Sequence, residues 1–173
     1  LPTCPVVERR AGDGAVSRHY GRFGCGTLSP GRDRPGAIGR AVTRGFAESG
    51  YRLATSLDVL ERKEGPLLME VYPHPALLVL LERSYRVPYK VSRRQKYWPR
   101  ADNEERKQNL LNVFRKILSS LRKDIRINRS RIELPDTVTS FTALKRYEDA
   151  LDALVCGWVG IKFLEGRIVA HGD

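Results

Sequence analysis

The stretch "PLLMEVYP" (66–73) decides the fold class. It is short, almost wholly apolar and bounded by two prolines, the form of a β-strand. A near-continuous apolar run implies a strand covered on both faces, as in layered α/β folds. One charge interrupts it, Glu70. An acid in a buried strand is costly unless it is paired or bound to a cation. Glu70 suits a functional site and an arginine-paired strand edge equally well.

Helices flank that strand. In "AIGRAVTRGFAESGYRL" (37–53), Ile38, Val42 and Phe46 recur at helical spacing, and Gly50 stands where the helix closes. "HPALLVLLERS" (74–84) reads as a short helix with Pro75 in its first turn. "DNEERKQNLLNVFRKILSSLRKD" (102–124) is a long helix. Asp102 and Glu105 form a capping box with Asp in place of Ser/Thr, and Leu110, Phe114, Ile117 and Leu121 make one apolar stripe. The last helix is "SFTALKRYEDALDALVCGWVGIKFLEG", capped by Ser140, closed by Gly166 and apolar around much of its girth. Residues 125–139 read as a linking segment, and residues 1–36 as loop with a short helix inside "GAVSRHYGRF". The expected fold is α/β, in a single domain over residues 1–173.

Composition narrows the function classes. Of 173 residues, 41% are hydrophobic and 29% charged, ordinary for a soluble globular protein. No apolar run is long enough to span a membrane, and no signal peptide is visible. The three cysteines, Cys4, Cys25 and Cys156, show no paired spacing, which favours a reducing compartment, hence the cytoplasm. Cys4, His19 and Cys25 match no standard zinc pattern. The net charge is +11, and residues 83–131 alone hold 16 Lys/Arg against 4 Asp/Glu. A cationic block of that density attracts polyanions, nucleic acid above all. Within it, Tyr85, Tyr89, Tyr97 and Trp98 interleave with Lys90, Arg93, Arg94, Lys96 and Arg100. Aromatics can stack on unpaired bases while cations hold the backbone, and the same pattern arises when aromatics anchor a loop to a core.

The last helix carries acids in "YEDALDALVC" (147–156). Asp149 and Asp152 are three apart, Glu148 and Asp152 four apart, so Asp152 can share a face with either. Like charges at that spacing repel. A Mg²⁺ or Mn²⁺ ion would reverse the sign of the interaction, and carboxylate-held metal ions can drive displacement at phosphorus. Pairing with Lys145 or Arg146 on an exposed edge serves as well.

These motifs taken together, "MEVYPHPALLVLL", "YK" (89–90), the basic helix and "YEDALDALVCGWVGIKFLEGRIVAHGD", resemble a bacterial and archaeal family of unknown function. That family is regarded as RNase H-like, RuvC-type nucleases. "RRAGDGAVSRHYGR" looks like its R-x-x-D stretch, with Arg10 and Asp13 in place. The resemblance implies a mixed central sheet flanked by helices and acids clustered at strand ends. It implies Asp152 as the main metal ligand, Asp149 as an accessory and Glu70 near the same site. The family's first-strand Asp has no counterpart here, since "GDG" (12–14) reads as loop. The chain is therefore expected to be the middle and C-terminal part of the domain, incomplete at its N-terminus, with an incomplete metal site unless the missing strands are supplied elsewhere.

The expected function is a metal-dependent nuclease with Asp152, Asp149 and Glu70 as catalytic metal ligands, Mg²⁺ or Mn²⁺ as cofactor and nucleic acid as partner. The alternatives are a non-catalytic nucleic-acid-binding protein of the same fold and a protein-interaction domain with a basic face.

Overall fold

The computed structural model describes residues 11–27, 37–61, 65–128, 132–137 and 140–172. The chain divides into two compact units, one from Leu1–Val71 with Lys162–Asp173, the other Tyr72–Ile161.

In the first unit, α1 (Ala11–Tyr20) runs into a 3₁₀ turn at Gly21–Phe23. Thr27 clamps this segment to α1: its amide donates to Ser17 Oγ at 3.0 Å and its hydroxyl to the Asp13 carbonyl at 2.9 Å. Gly172 lies against the start of α1, where a Cβ would meet the Gly12 nitrogen at 2.6 Å, so no larger residue fits there. α2 (Ala37–Glu48) forms within the predicted span, although Ile38, Val42 and Phe46, whose spacing marked it, are exposed. It stops at Gly50, whose φ of 82° lies in the left-handed region that favours glycine.

β1 (Arg52–Leu53) then pairs in parallel with β2 (Leu67–Leu68), Arg52 opposite Leu67 and Leu53 opposite Leu68. The strand expected over 66–73 is thus two residues long, and half-buried rather than covered on both faces. Between the strands, the start of α3 (Ser56–Glu61) is tied to Thr55 by the Asp58 side chain. The buried Asp58 accepts the Thr55 amide at 2.7 Å and an Arg52 guanidinium N–H at 2.8 Å. Those bonds hold its carboxyl far below the usual carboxylate range, the Arg52 bond first.

The second unit holds the hydrophobic core. α4 (Pro73–Leu80) begins with proline at its first position, where the missing N–H is harmless. An extended segment with a 3₁₀ turn at Val91–Arg93 leads into the short α5 (Arg94–Tyr97). α6 (Asn103–Asp124) is capped as expected: Asp102 accepts the Glu105 amide at 2.8 Å. α7 (Phe141–Leu164) starts at Ser140, whose hydroxyl accepts the Ala143 amide at 3.1 Å. The buried stripe of α6 (Leu110, Phe114, Ile117, Leu121) packs with Leu144, Leu151, Val155 and Trp158 of α7 and with Leu77, Val87, Tyr89 and Val91. The chain is therefore mixed α/β and mostly helical, with one small parallel pair among the described residues. No helix among them is long and apolar enough to cross a membrane.

Candidate functional site

α7 presents Glu148, Asp149 and Asp152 on one side, and ligand oxygens of all three lie within 4.8 Å of one another. Burial grades across them: Glu148 is buried, Asp152 half-buried and Asp149 exposed. Glu148 falls on the inward stripe, four residues after Leu144 and three before Leu151, both fully buried. A buried carboxylate needs donors, and the extended segment 89–91 brings them. The Val91 amide donates to Glu148 Oε2 at 2.6 Å. The Tyr89 hydroxyl donates to Asp152 Oδ1 at 2.7 Å, and Lys90 donates to Asp152 Oδ2. Lys90 also lies 3.4 Å from Glu148 Oε1. From α7 itself, Lys145 donates to Glu148 Oε1 at 3.0 Å and to Asp149.

Electrostatics follow from this packing. Among the described residues, three carboxylates pair with two ammonium groups, one positive charge short of balance. The Lys145 ammonium is held above its ordinary pKa, chiefly by its bond to Asp149. Burial, and then the Asp152 charge, push the Tyr89 phenol far up, so its proton stays in place as a donor to Asp152. Cys156 follows Asp152 by one turn. Burial and the Asp152 charge raise its thiol, which makes it a poor nucleophile.

Beside Tyr89 lies the buried His74, with ring centroids 5.2 Å apart in an edge-to-face arrangement. Burial first, and then the charges of Arg86, Lys90 and Arg93, lower its pKa to about 3. The neutral ring accepts a guanidinium N–H of Arg86 at Nε2.

The group has the hard-oxygen chemistry that suits a metal ion, and the residual negative charge favours one. Lys90 and Lys145 already engage the oxygens a cation would take, so binding one means displacing an ammonium.

The residues named from the sequence are distributed as follows. Asp149 and Asp152 are brought together, and Glu148 joins them as their buried member. Its signal was its place on the apolar stripe. Glu70 belongs to the first unit and is exposed, two residues past the end of β2. Asp13 is buried in α1, where a loop was expected, and Arg10 lies outside the described residues. Lys90 is engaged with the acids. Arg94 sits 4.0 Å over the Phe141 ring and donates to the Val91 carbonyl at 3.0 Å. Arg93 is half-buried, and Lys96 and Arg100 are exposed. Tyr89, Tyr97 and Trp98 are at least partly withdrawn from solvent, while Tyr85 is exposed.

A family model covers residues 5–173, nearly the whole chain. The chain belongs to the family described as "Protein of unknown function (DUF429)". No curated protein and no solved structure matches this DUF429 chain.

Proposed function

We propose that this DUF429 chain is an RNase H-like, RuvC-type, divalent-cation-dependent nuclease acting on phosphodiester bonds of nucleic acid in the cytoplasm. One observation carries the reading: three carboxylates of α7 converge within 4.8 Å, with a residual negative charge. Asp152 and Asp149, with Glu148 beneath them, would hold Mg²⁺ or Mn²⁺. When bound, such an ion activates water and stabilises charge at phosphorus. The chain's own residues prepare the site. Tyr89 fixes the Asp152 carboxylate, the Val91 amide fixes Glu148, and Lys90 neutralises both acids until a cation replaces it. The cationic block over 83–131 supplies the attraction for the nucleic-acid backbone.

A second reading has its own observation. Every one of the three acids already bonds an ammonium group. The cluster then acts as a clamp fastening segment 89–91 to α7, and the chain binds nucleic acid without cutting it.

Labelled single- and double-stranded DNA and RNA, incubated with Mg²⁺, Mn²⁺ or EDTA, separate these readings. Metal-dependent cleavage lost in Asp152→Asn supports the nuclease. Salt-sensitive binding without cleavage supports the second reading. No binding at low salt removes both and leaves a protein-interaction domain. A Glu70→Gln arm decides whether that acid takes part.

A further inference from the structure

At the C-terminal end of α6 the chain leaves the helix at Ile125, which is extended, with φ −134° and ψ 149°. Side chains alternate along such a segment. Ile125 and Ile127 are half-buried, while Arg126 and Asn128 are exposed. Ile125 and Ile127 belong to the fringe of the core. Together with Arg122 and Lys123 of the last helical turn they line an open recess of ≈ 650 Å³.

The charge of this recess is one-sided. Arg122, Lys123 and Arg126 face a single acid, Asp124. Asp124 is not directed at a ligand, because its Oδ2 accepts the indole N–H of the buried Trp158 at 2.5 Å. Arg122 donates one guanidinium N–H to the Ile132 carbonyl at 3.1 Å, one of the five donors a guanidinium carries. Cations in a last helical turn also complement the helix dipole. That role accounts for Arg122 and Lys123 but not for Arg126, which lies beyond the helix.

We infer that this recess is a phosphate-backbone site for a nucleic-acid strand, with Arg122, Lys123 and Arg126 supplying cations to its phosphates and Ile125 and Ile127 anchoring the segment to the core beneath them. The recess is open and is lined by three cations, so it fits a chain of phosphates better than one enclosed anion. The inference rests on the reading that the chain handles nucleic acid. It moves the contact away from Lys90 and Arg94, which are engaged within the protein.

The test is fluorescence anisotropy of labelled single-stranded and duplex oligonucleotides across a salt series. The variant R122A/K123A/R126A is expected to bind about tenfold or more weakly. Its log K against log salt slope should fall by ~2, for three phosphates lost from a single strand. R122Q/K123Q/R126Q gives the same result if the alanine variant folds poorly, and R18A/R44A/R146A, which removes the same three charges elsewhere, controls for loss of charge alone. In the unaltered protein, bound oligonucleotide should shield Lys123 from acetylation. If the unaltered protein binds and the triple variants match it, this inference fails while the functional reading stands. If the unaltered protein binds nothing at low salt, the functional reading fails and takes this one with it. Equal binding of poly-glutamate, lost in the same variants, assigns the recess to an acidic protein and overturns the inference.

Discussion

Replacing Glu148 with alanine tests the buried end of the acidic cluster. Glu148 is 2% exposed and accepts the buried Val91 amide at 2.6 Å. Removing one partner of a buried charge pair costs about 3–5 kcal/mol when the other charge is stranded. Here neither ammonium is stranded, because Lys90 retains Asp152 and Lys145 retains Asp149. What remains is an orphaned amide, about 1–3 kcal/mol, and about 1 kcal/mol of lost methylene burial. Glu148→Ala is therefore expected to destabilise the protein by about 2–4 kcal/mol. Glu148→Gln keeps the volume and an acceptor and should cost about half of that. Asp149→Asn, at an exposed pair, should cost no more than about 1 kcal/mol. Urea unfolding followed by circular dichroism reads all three. With a slope of about 2 kcal/mol per molar, the alanine variant shifts the midpoint down by about 1–2 M. An alanine variant within about 0.5 kcal/mol of the unaltered protein, or an Asp149 variant just as damaging, refutes the reasoning.

His74 makes stability depend on pH. Its folded pKa of about 3 lies below the ordinary 6.5, so the unfolded chain binds more protons between those values. The stability it contributes is complete above pH 6.5 and is lost as pH falls toward 3. From pH 8 to pH 5 the loss is about 2 kcal/mol, and His74→Phe should abolish that part of the slope in urea unfolding at each pH. Tyr89→Phe removes the bond to Asp152 and should cost about 1 kcal/mol in the same measurement; an unchanged midpoint would mean that the bond is idle. Asp102→Ala strips the cap of α6 and should also cost about 1 kcal/mol, seen as a lower thermal midpoint.

The helices were legible because their signals are local. Asp102 with Glu105, Ser140, Gly50 and the stripe Leu110–Phe114–Ile117–Leu121 each act within a few residues, and each holds in the structure. "PLLMEVYP" was overread because a short apolar run says little about its partners. Among the described residues only Leu67 and Leu68 of this stretch pair with a strand, and Glu70 is exposed beyond them. The acidic face was legible from spacing, as was Lys145 as a counter-charge. The rest of the site was not, because its donors come from afar. Val91 is 57 residues from Glu148, and Tyr89 and Lys90 are 63 and 62 from Asp152. No local pattern reveals that a lysine in a cationic block turns inward to a carboxylate.

As a metal site, the acids of α7 would hold a divalent cation in competition with Lys90 and Lys145. Mn²⁺ uptake followed by electron paramagnetic resonance measures this directly. Saturable uptake is expected for the unaltered protein, lost in Asp152→Asn and tightened in Lys90→Met. No saturable uptake, or equal uptake by the Asp152→Asn variant, contradicts it.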